Sequence, residues 1–289
     1  MGDSTTVRIK VGRSSRVSLL PGSSPFSIRE APIVSFQNPW LNSAQLMHKI
    51  WLALEKKQGL SVVSIGQTEA FVMAQYVLFT EEEFLSHREA EIANQGSREG
   101  FMHRGIRFPN VAARDEAVEA VRKADIVGYN TIEPVARDLT EKVFALHQIH
   151  PRFYFEAHLR RVLMFSQKER FERILAGRRI LLIGALAPQA ALVLDTKLKR
   201  RLGFEIAAAI PLYEFEEIPW VKEQIARYNF DLCLLGAGVN AVILSSYIAR
   251  HLGKVAIDLG SGMESLITGK IVTDSFINEV IGLDRLLQM

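Results

Sequence analysis

The sequence predicts an α/β fold: a mostly parallel sheet with helices on both faces, behind an N-terminal arm. Three observations lead there. Short apolar runs and segments of helical period alternate from about residue 45 onward. Several runs, RRILLIG at 178–184 above all, are apolar at successive positions, as strands buried on both faces must be. No linker after residue 45 is long enough to divide the chain, so 1–44 reads as the arm and 45–289 as one domain. With 289 residues, 48% hydrophobic and 23% charged, the chain can bury a sizeable core without staples. That composition excludes disordered, collagen-like and disulfide-scaffold classes.

Residues 1–44 are rich in Ser, Pro and Arg and show no sustained period; VRIKV at 7–11 has strand character, and the rest reads as a tail or an arm lying on the domain. Ser43-Ala44-Gln45 opens the amphipathic helix LMHKIWLALEKK, which Gly59 ends. SVVSI at 61–65 is the first strand, and QTEAFVMAQYVLF at 67–79 has helical spacing. Residues 80–104 are charged and helix-prone, broken by Gly96, Gly100 and Gly105. Asn110 reads as the N-cap of VAARDEAVEAVRKA, followed by the strand DIVGYN at 125–130, a helix at 134–148 and the strand RFYFEA at 152–157. The fourth strand, 178–184, precedes a helix at 188–200 and a fifth strand, FEIAAAIPL. After the helix IPWVKEQIARYN come the strand DLCLLG at 231–236, a helix at 239–252 and the strand KVAIDLG at 254–260. Leu232–Ala249 is uncharged and long enough to cross a bilayer, but Gly236, Gly238, Asn240, Ser245 and Ser246 divide it into strand, turn and helix.

The net charge of +3 sits entirely in residues 1–30, where Arg8, Lys10, Arg13, Arg16 and Arg29 face only Asp3 and Glu30. That balance does not suit a nucleic-acid binder. The one cysteine, Cys233, lies in an apolar strand and forms no internal disulfide, so a cytoplasmic setting is expected. The first twenty residues lack the apolar core of a secretory leader. Met1-Gly2 with Thr6 fits the loose myristoylation pattern, which is too short to carry weight.

In open α/β sheets ligands bind beyond the carboxyl ends of the strands, so four strand-to-helix turns are the candidate sites. Gly66-Gln67-Thr68-Glu69 follows the first strand; Glu69 is either a site carboxylate or a helix-start acid held by the helix dipole. Gly184-Ala185-Leu186-Ala187-Pro188 is a phosphate-holding turn or a plain connection, with Pro188 in the first turn of the next helix. Gly236-Ala237-Gly238 gives G-x-G with Ala241 in the sixth position; it suits a diphosphate turn better than a nicotinamide dehydrogenase. Asp258-Leu259-Gly260-Ser261-Gly262 ends the last strand, where Asp258 binds a ribose or base or caps a helix. The histidines show no metal spacing; His147 and His150 read as a helix end and loop. No G-x-S-x-G, H-E-x-x-H or Walker A motif occurs.

The ordered set VVSIGQTEAFVMAQ, NVAARDEAVEAVRKADIVGYN, GRRILLIG and FDLCLLGAGVNAVILSSYIARHLGKVAIDLGSG, between about 45 and 270, resembles the GT-D (glycosyltransferase-D) family of bacterial glycosyltransferases. The resemblance implies a Rossmann-like sheet and transfer of a sugar from a nucleotide-diphosphate donor to a cell-surface glycan or glycoprotein. In that family the first strand ends in a pattern like Arg-x-Gly-Asp-Gly-Glu, whose two acids hold a divalent ion against the donor diphosphate. Here Ser64 stands for the Arg, Gln67 for the Asp and Thr68 for the second Gly, while Gly66 and Glu69 are kept; Ser261 stands where a His is frequent. The resemblance thus implies Glu69 as catalytic and metal-binding residue, with Mn²⁺ or Mg²⁺ held more weakly because of Gln67. It implies Gly66, Gln67, Thr68, Gly184, Gly236, Gly238 and Asp258 around the donor. Glu156 and Asp115 are alternative bases by residue type. The competing expectation is a degenerate relative that binds a nucleotide or a partner without turnover, with the basic arm as docking element. Expected partners are a nucleotide sugar, a glycan or protein acceptor, and a second copy or a partner transferase; no nucleic acid and no transmembrane segment are expected.

Overall fold

The structure, a computed structural model, describes residues 39–95, 104–273 and 277–289. Residues 1–38, which hold VRIKV and the basic cluster, and residues 96–103, with Gly96 and Gly100, lie outside the described residues. Seven strands form one sheet: β1 (Leu60–Ile65), β2 (Ile126–Tyr129), β3 (Phe153–Glu156), β4 (Arg179–Gly184), β5 (Glu205–Ile210), β6 (Leu232–Gly236) and β7 (Val255–Asp258). Their order is β3-β2-β1-β7-β6-β4-β5, and every neighbouring pair is parallel. All seven strands expected from the sequence are present, and the sheet is wholly rather than mostly parallel.

Helices cover both faces: α1 (Ser43–Glu55), α2 (Gln67–Ala74), α3 (Glu81–Leu85), α4 (Arg88–Gln95), α5 (Val111–Lys123), α6 (Pro134–Leu146), α7 (Leu163–Ser166) and α8 (Lys168–Leu175) in the first half. The second half adds α9 (Ala187–Leu194), α10 (Arg200–Leu202), α11 (Ile218–Ile225), α12 (Val239–Leu252), α13 (Gly262–Thr268) and α14 (Leu283–Gln288). The strands alternate between two cores. Val63, Leu181, Ile183, Cys233 and Leu235 pack on the face of α2, α5, α6 and α12. Val62, Ile180, Leu182, Leu232 and Leu234 pack on the face of α1, α8, α9 and α13. A period of two on strands apolar throughout therefore fills both layers.

Three local outcomes differ from the sequence reading. Residues 39–44, counted with the arm, are built into the domain. Leu41 N–H donates to the Tyr154 carbonyl at 2.7 Å, alongside β3, and Asn42 caps α1 through Gln45. The helix expected over 67–79 stops at Ala74, and Tyr76 takes a φ of 60°. The buried Gln75 side chain accepts from Asn110 N–H instead, at 2.9 Å, and its carbonyl accepts from Arg114. The uncharged stretch 232–249 is β6 followed by α12, and no helix among the described residues is long and apolar enough to cross a membrane.

Gly184 shows how tightly the strand ends are packed. It has a φ of 138°, and a Cβ there would overlap the Gly236 carbonyl oxygen. Gly184→Ala should therefore lower stability by about 3 kcal/mol or more, read from urea unfolding; a loss under about 1 kcal/mol would show that β4 and β6 can separate at this end.

Candidate functional site

Because β1, β7, β6 and β4 are neighbours, the four turns singled out from the sequence lie side by side at their carboxyl ends. Gly66 precedes α2, and the Glu69 side chain folds back so that its Oε2 accepts from Gly66 N–H at 2.8 Å. Glu69 is buried at 6% exposure, and its Oε1 faces the turn after β6, 3.9 Å from where a Gly238 Cβ would stand. One Glu69 oxygen therefore serves the helix start, and the other looks across the strand ends.

Asp258 ends β7 with 1% exposure. Its Oδ1 accepts from Gly260 N–H at 2.9 Å, and its Oδ2 accepts from Ser64 N–H at 3.2 Å and from Arg160 Nη1 at 3.1 Å. It does not cap α13, which starts from Ser261. Burial pushes its carboxyl up to about 6; Arg160 pulls against that, Glu69 adds to it, and the Gly260 and Ser64 N–H groups pull against it.

The remaining residues sort by what fills the space around them. Gln67 is exposed at the first position of α2. Thr68 is turned away from the strand ends, donating to buried Glu89 at 2.8 Å; Glu89 also lies 3.8 Å from Arg104 Nε. Gly236 would meet Met263 and the Gly260 carbonyl through a Cβ. Gly238, with a φ of 56°, would meet the Arg104 carbonyl oxygen at 2.8 Å. Gly105 continues that contact, its carbonyl accepting from buried Asn240 at 2.7 Å. Gly184, Gly236 and Gly238, in the second and third turns, thus stand where a side chain would strike neighbouring protein atoms. Gly66, Gly236, Gly238 and Gly260 remain partly accessible at the strand ends.

Of the alternative bases, Asp115 is exposed on α5 and paired with Arg114. Glu156 is buried at the end of β3. Burial would raise its carboxyl, but bonds from His158 Nδ1 at 2.7 Å and from the Thr131 hydroxyl and N–H hold it below its ordinary value. Cys233 is buried in β6, and His147 caps α6 with its ring nitrogen 3.1 Å from the Met73 carbonyl, both as expected.

The family model for the GT-D fold-like domain matches residues 41–266. The chain belongs to the GT-D fold-like domain family. A solved structure described as the highly conserved domain of unknown function 1792, with a distinct glycosyltransferase fold, is 16% identical to this GT-D-like domain. That likeness covers 83% of this chain and 85% of that one, with a TM-score of 0.43. No curated protein matches the chain.

The divalent ion that the GT-D resemblance implies does not fit the residues present in this GT-D-like domain. Among the described residues no group of three or more His, Cys, Asp or Glu could hold a metal ion. Both Asp258 oxygens and one Glu69 oxygen already accept backbone N–H bonds, so Glu69 Oε1 is the one oxygen of the two carboxylates without a backbone donor, where such ions are ordinarily held by one or two carboxylates with waters and phosphate oxygens. The Arg160 guanidinium also stands where the charge would go. A dication about 4 Å from it would be repelled by roughly 8 kcal/mol at an effective dielectric of about 20.

Sequence reasoning missed Arg160, Glu89 and Arg104. Arg160 sits in a 3₁₀ turn, Ala157–Arg161, after β3; that turn carries no glycine and so gave no signal. Asp258 supplies a pH test. Its carboxyl is raised from 3.8 to about 6, so its contribution to stability is full below about 3.8 and is lost as pH rises through about 6. Urea unfolding of wild type and Asp258→Asn between pH 4 and pH 7 should show the wild type losing ground to the variant by on the order of 3 kcal/mol. A gap independent of pH would mean that Asp258 titrates like an ordinary exposed acid.

Proposed function

We propose that this GT-D-like domain transfers a sugar from a nucleoside-diphosphate donor to a hydroxyl acceptor, a cell-surface glycan or a glycoprotein. The observation that carries the reading is Glu69. It is a buried carboxylate at the carboxyl end of β1, with one oxygen pinned by Gly66 N–H and the other facing the turn after β6. Such a group is pre-oriented to receive a proton. In the reaction the acceptor oxygen bonds to the anomeric carbon and passes its proton to Glu69 Oε1. The bond from that carbon to the diphosphate oxygen breaks, and the nucleoside diphosphate leaves with the electron pair. Gly66, Gln67, Gly236 and Gly238 border the donor, while Thr68, Gly184 and Asp258 support those turns from behind. The family match over residues 41–266 supports the reaction class.

A second reading, nucleotide or partner binding without turnover, is favoured by one feature. Gln67 stands where the resemblance places an acid, and it is exposed at the start of α2. As a nucleotide binder it makes the same demand for a nucleotide, and in either form it makes none for Glu69 as a base.

One experiment separates them. Thermal melts with ADP, GDP, UDP, CDP and dTDP, with EDTA and with Mn²⁺, should show one nucleotide raising the melting temperature. A ligand at a hundred times its dissociation constant adds about 2.7 kcal/mol. With the matching nucleotide sugar, Glu69→Gln should lower kcat for nucleoside diphosphate release by roughly 10²–10⁴-fold with binding nearly unchanged. Binding without release by the wild type would favour the second reading. No shift with any nucleotide overturns the transferase reading and nucleotide binding alike, and favours partner binding.

A further inference from the structure

The buried cation at the strand ends, Arg160, has no place in the functional reading so far. We propose that the Arg160 guanidinium receives the diphosphate of the donor, standing where a divalent ion would otherwise neutralise it. The proposal rests on the donor reading above and names the group that meets the donor's charge.

Arg160 is built into the site rather than draped over it. Its side chain is 14% exposed and its Nη1 lies 3.1 Å from Asp258 Oδ2. The guanidinium lies flat against Gly260, whose φ is 50° and where a Cβ would stand 2.7 Å from Arg160 Cζ. Its Nη2 reaches to within 3.6 Å of where a Gly66 Cβ would stand, and a Cβ at Gly262 would overlap the Arg160 carbonyl oxygen. Two positions without side chains, Gly260 and Gly262, thus make room for this one residue, which reaches from the turn after β7 to the turn after β1.

The hydrogen bonds around Asp258 leave the guanidinium free to serve an anion. Each Asp258 oxygen already accepts a backbone N–H, from Gly260 and from Ser64. Asp258 therefore stays satisfied if Arg160 turns part of its fork outward. Among the described residues Arg160 makes a hydrogen bond only to Asp258, through Nη1. A guanidinium carries five N–H donors, stays charged at any working pH and grips two phosphate oxygens at once. Asp258 orients it, and its Nη2 and the Glu69 carboxylate both lie beside Gly66, at the turn after β1.

A cation fixed to the chain predicts a sign opposite to that of a metal site. Mg²⁺ or Mn²⁺ in solution would cap the diphosphate and compete with Arg160, so it should leave binding unchanged or weaken it. The test is calorimetric titration of inorganic pyrophosphate and of the five nucleoside diphosphates, in EDTA and in Mn²⁺. The proteins are the wild type, Arg160→Lys and the double variant Arg160→Gln/Asp258→Asn, which removes both charges so that neither is left buried alone. The wild type should bind in EDTA; Arg160→Lys should bind at least about tenfold more weakly, having lost the fork, and the double variant about a hundredfold more weakly or not at all. Circular dichroism melts establish that the variants are folded. Binding that needs Mn²⁺, or that survives unchanged in the folded double variant, overturns the role of Arg160 and leaves the donor reading standing. Pyrophosphate binding through Arg160 with no nucleoside diphosphate binding keeps the anion site and overturns the donor reading. No diphosphate bound by the wild type in either condition overturns both.

Discussion

A parallel strand buried on both faces has only its ends to offer to chemistry. Here β1, β4, β6 and β7 are sealed above and below by apolar side chains, so the charged groups of the central sheet are displaced to the strand ends, Glu69 and Asp258 to the carboxyl-terminal rim. That constraint gathers turns from distant parts of the sequence along one line, and it forces them to share little space. The glycines at 184, 236 and 238 answer the crowding, since any side chain there would strike a neighbouring backbone or side chain. The rim is consequently dense, and two concavities lie away from it. One of about 210 Å³ is bordered by Lys57, Arg178 and Lys254 at the opposite ends of the strands; another of about 480 Å³ lies between α1 and Phe153.

Charge is rationed on the rim in the same way. Two buried carboxylates, Glu69 and Asp258, disfavour one another, and a single guanidinium beside Asp258 offsets part of that cost. Backbone N–H groups supply the rest: Gly66 to Glu69, and Ser64 and Gly260 to Asp258. Beyond them a second layer, Thr68–Glu89–Arg104, holds residue 104 against the Gly238 turn.

The fold was legible because its signal is local. Seven apolar runs separated by helical segments need no tertiary knowledge, and the strand boundaries fall within two residues of those read from sequence. The end of α2 was not legible. Nothing between Ala74 and Phe79 breaks the helical period; what ends the helix is Gln75 bonding to Asn110, a contact made only in the folded chain. At the site, the four turns were found because glycine marks a strand end. Their chemistry was not, because a glycine that admits a phosphate and a glycine that admits a carbonyl look alike in sequence. Arg160 was invisible for the converse reason. It follows β3, at the far edge of the sheet, and only the return of its 3₁₀ turn over β1 and β2 carries it to Asp258.

The strand order also sets a sequence of events in time. The central strand β1 is bordered on one side by β2, which follows it closely, and on the other by β7, the last strand made, pairing Val62 with Ile257. During synthesis one edge of β1 therefore has no native partner until nearly the whole domain has left the ribosome. Non-local pairing of this kind folds slowly and leaves apolar edges uncovered in the interval. Glu69 emerges early and Asp258 late, so the rim comes into being as a unit, at the close of folding.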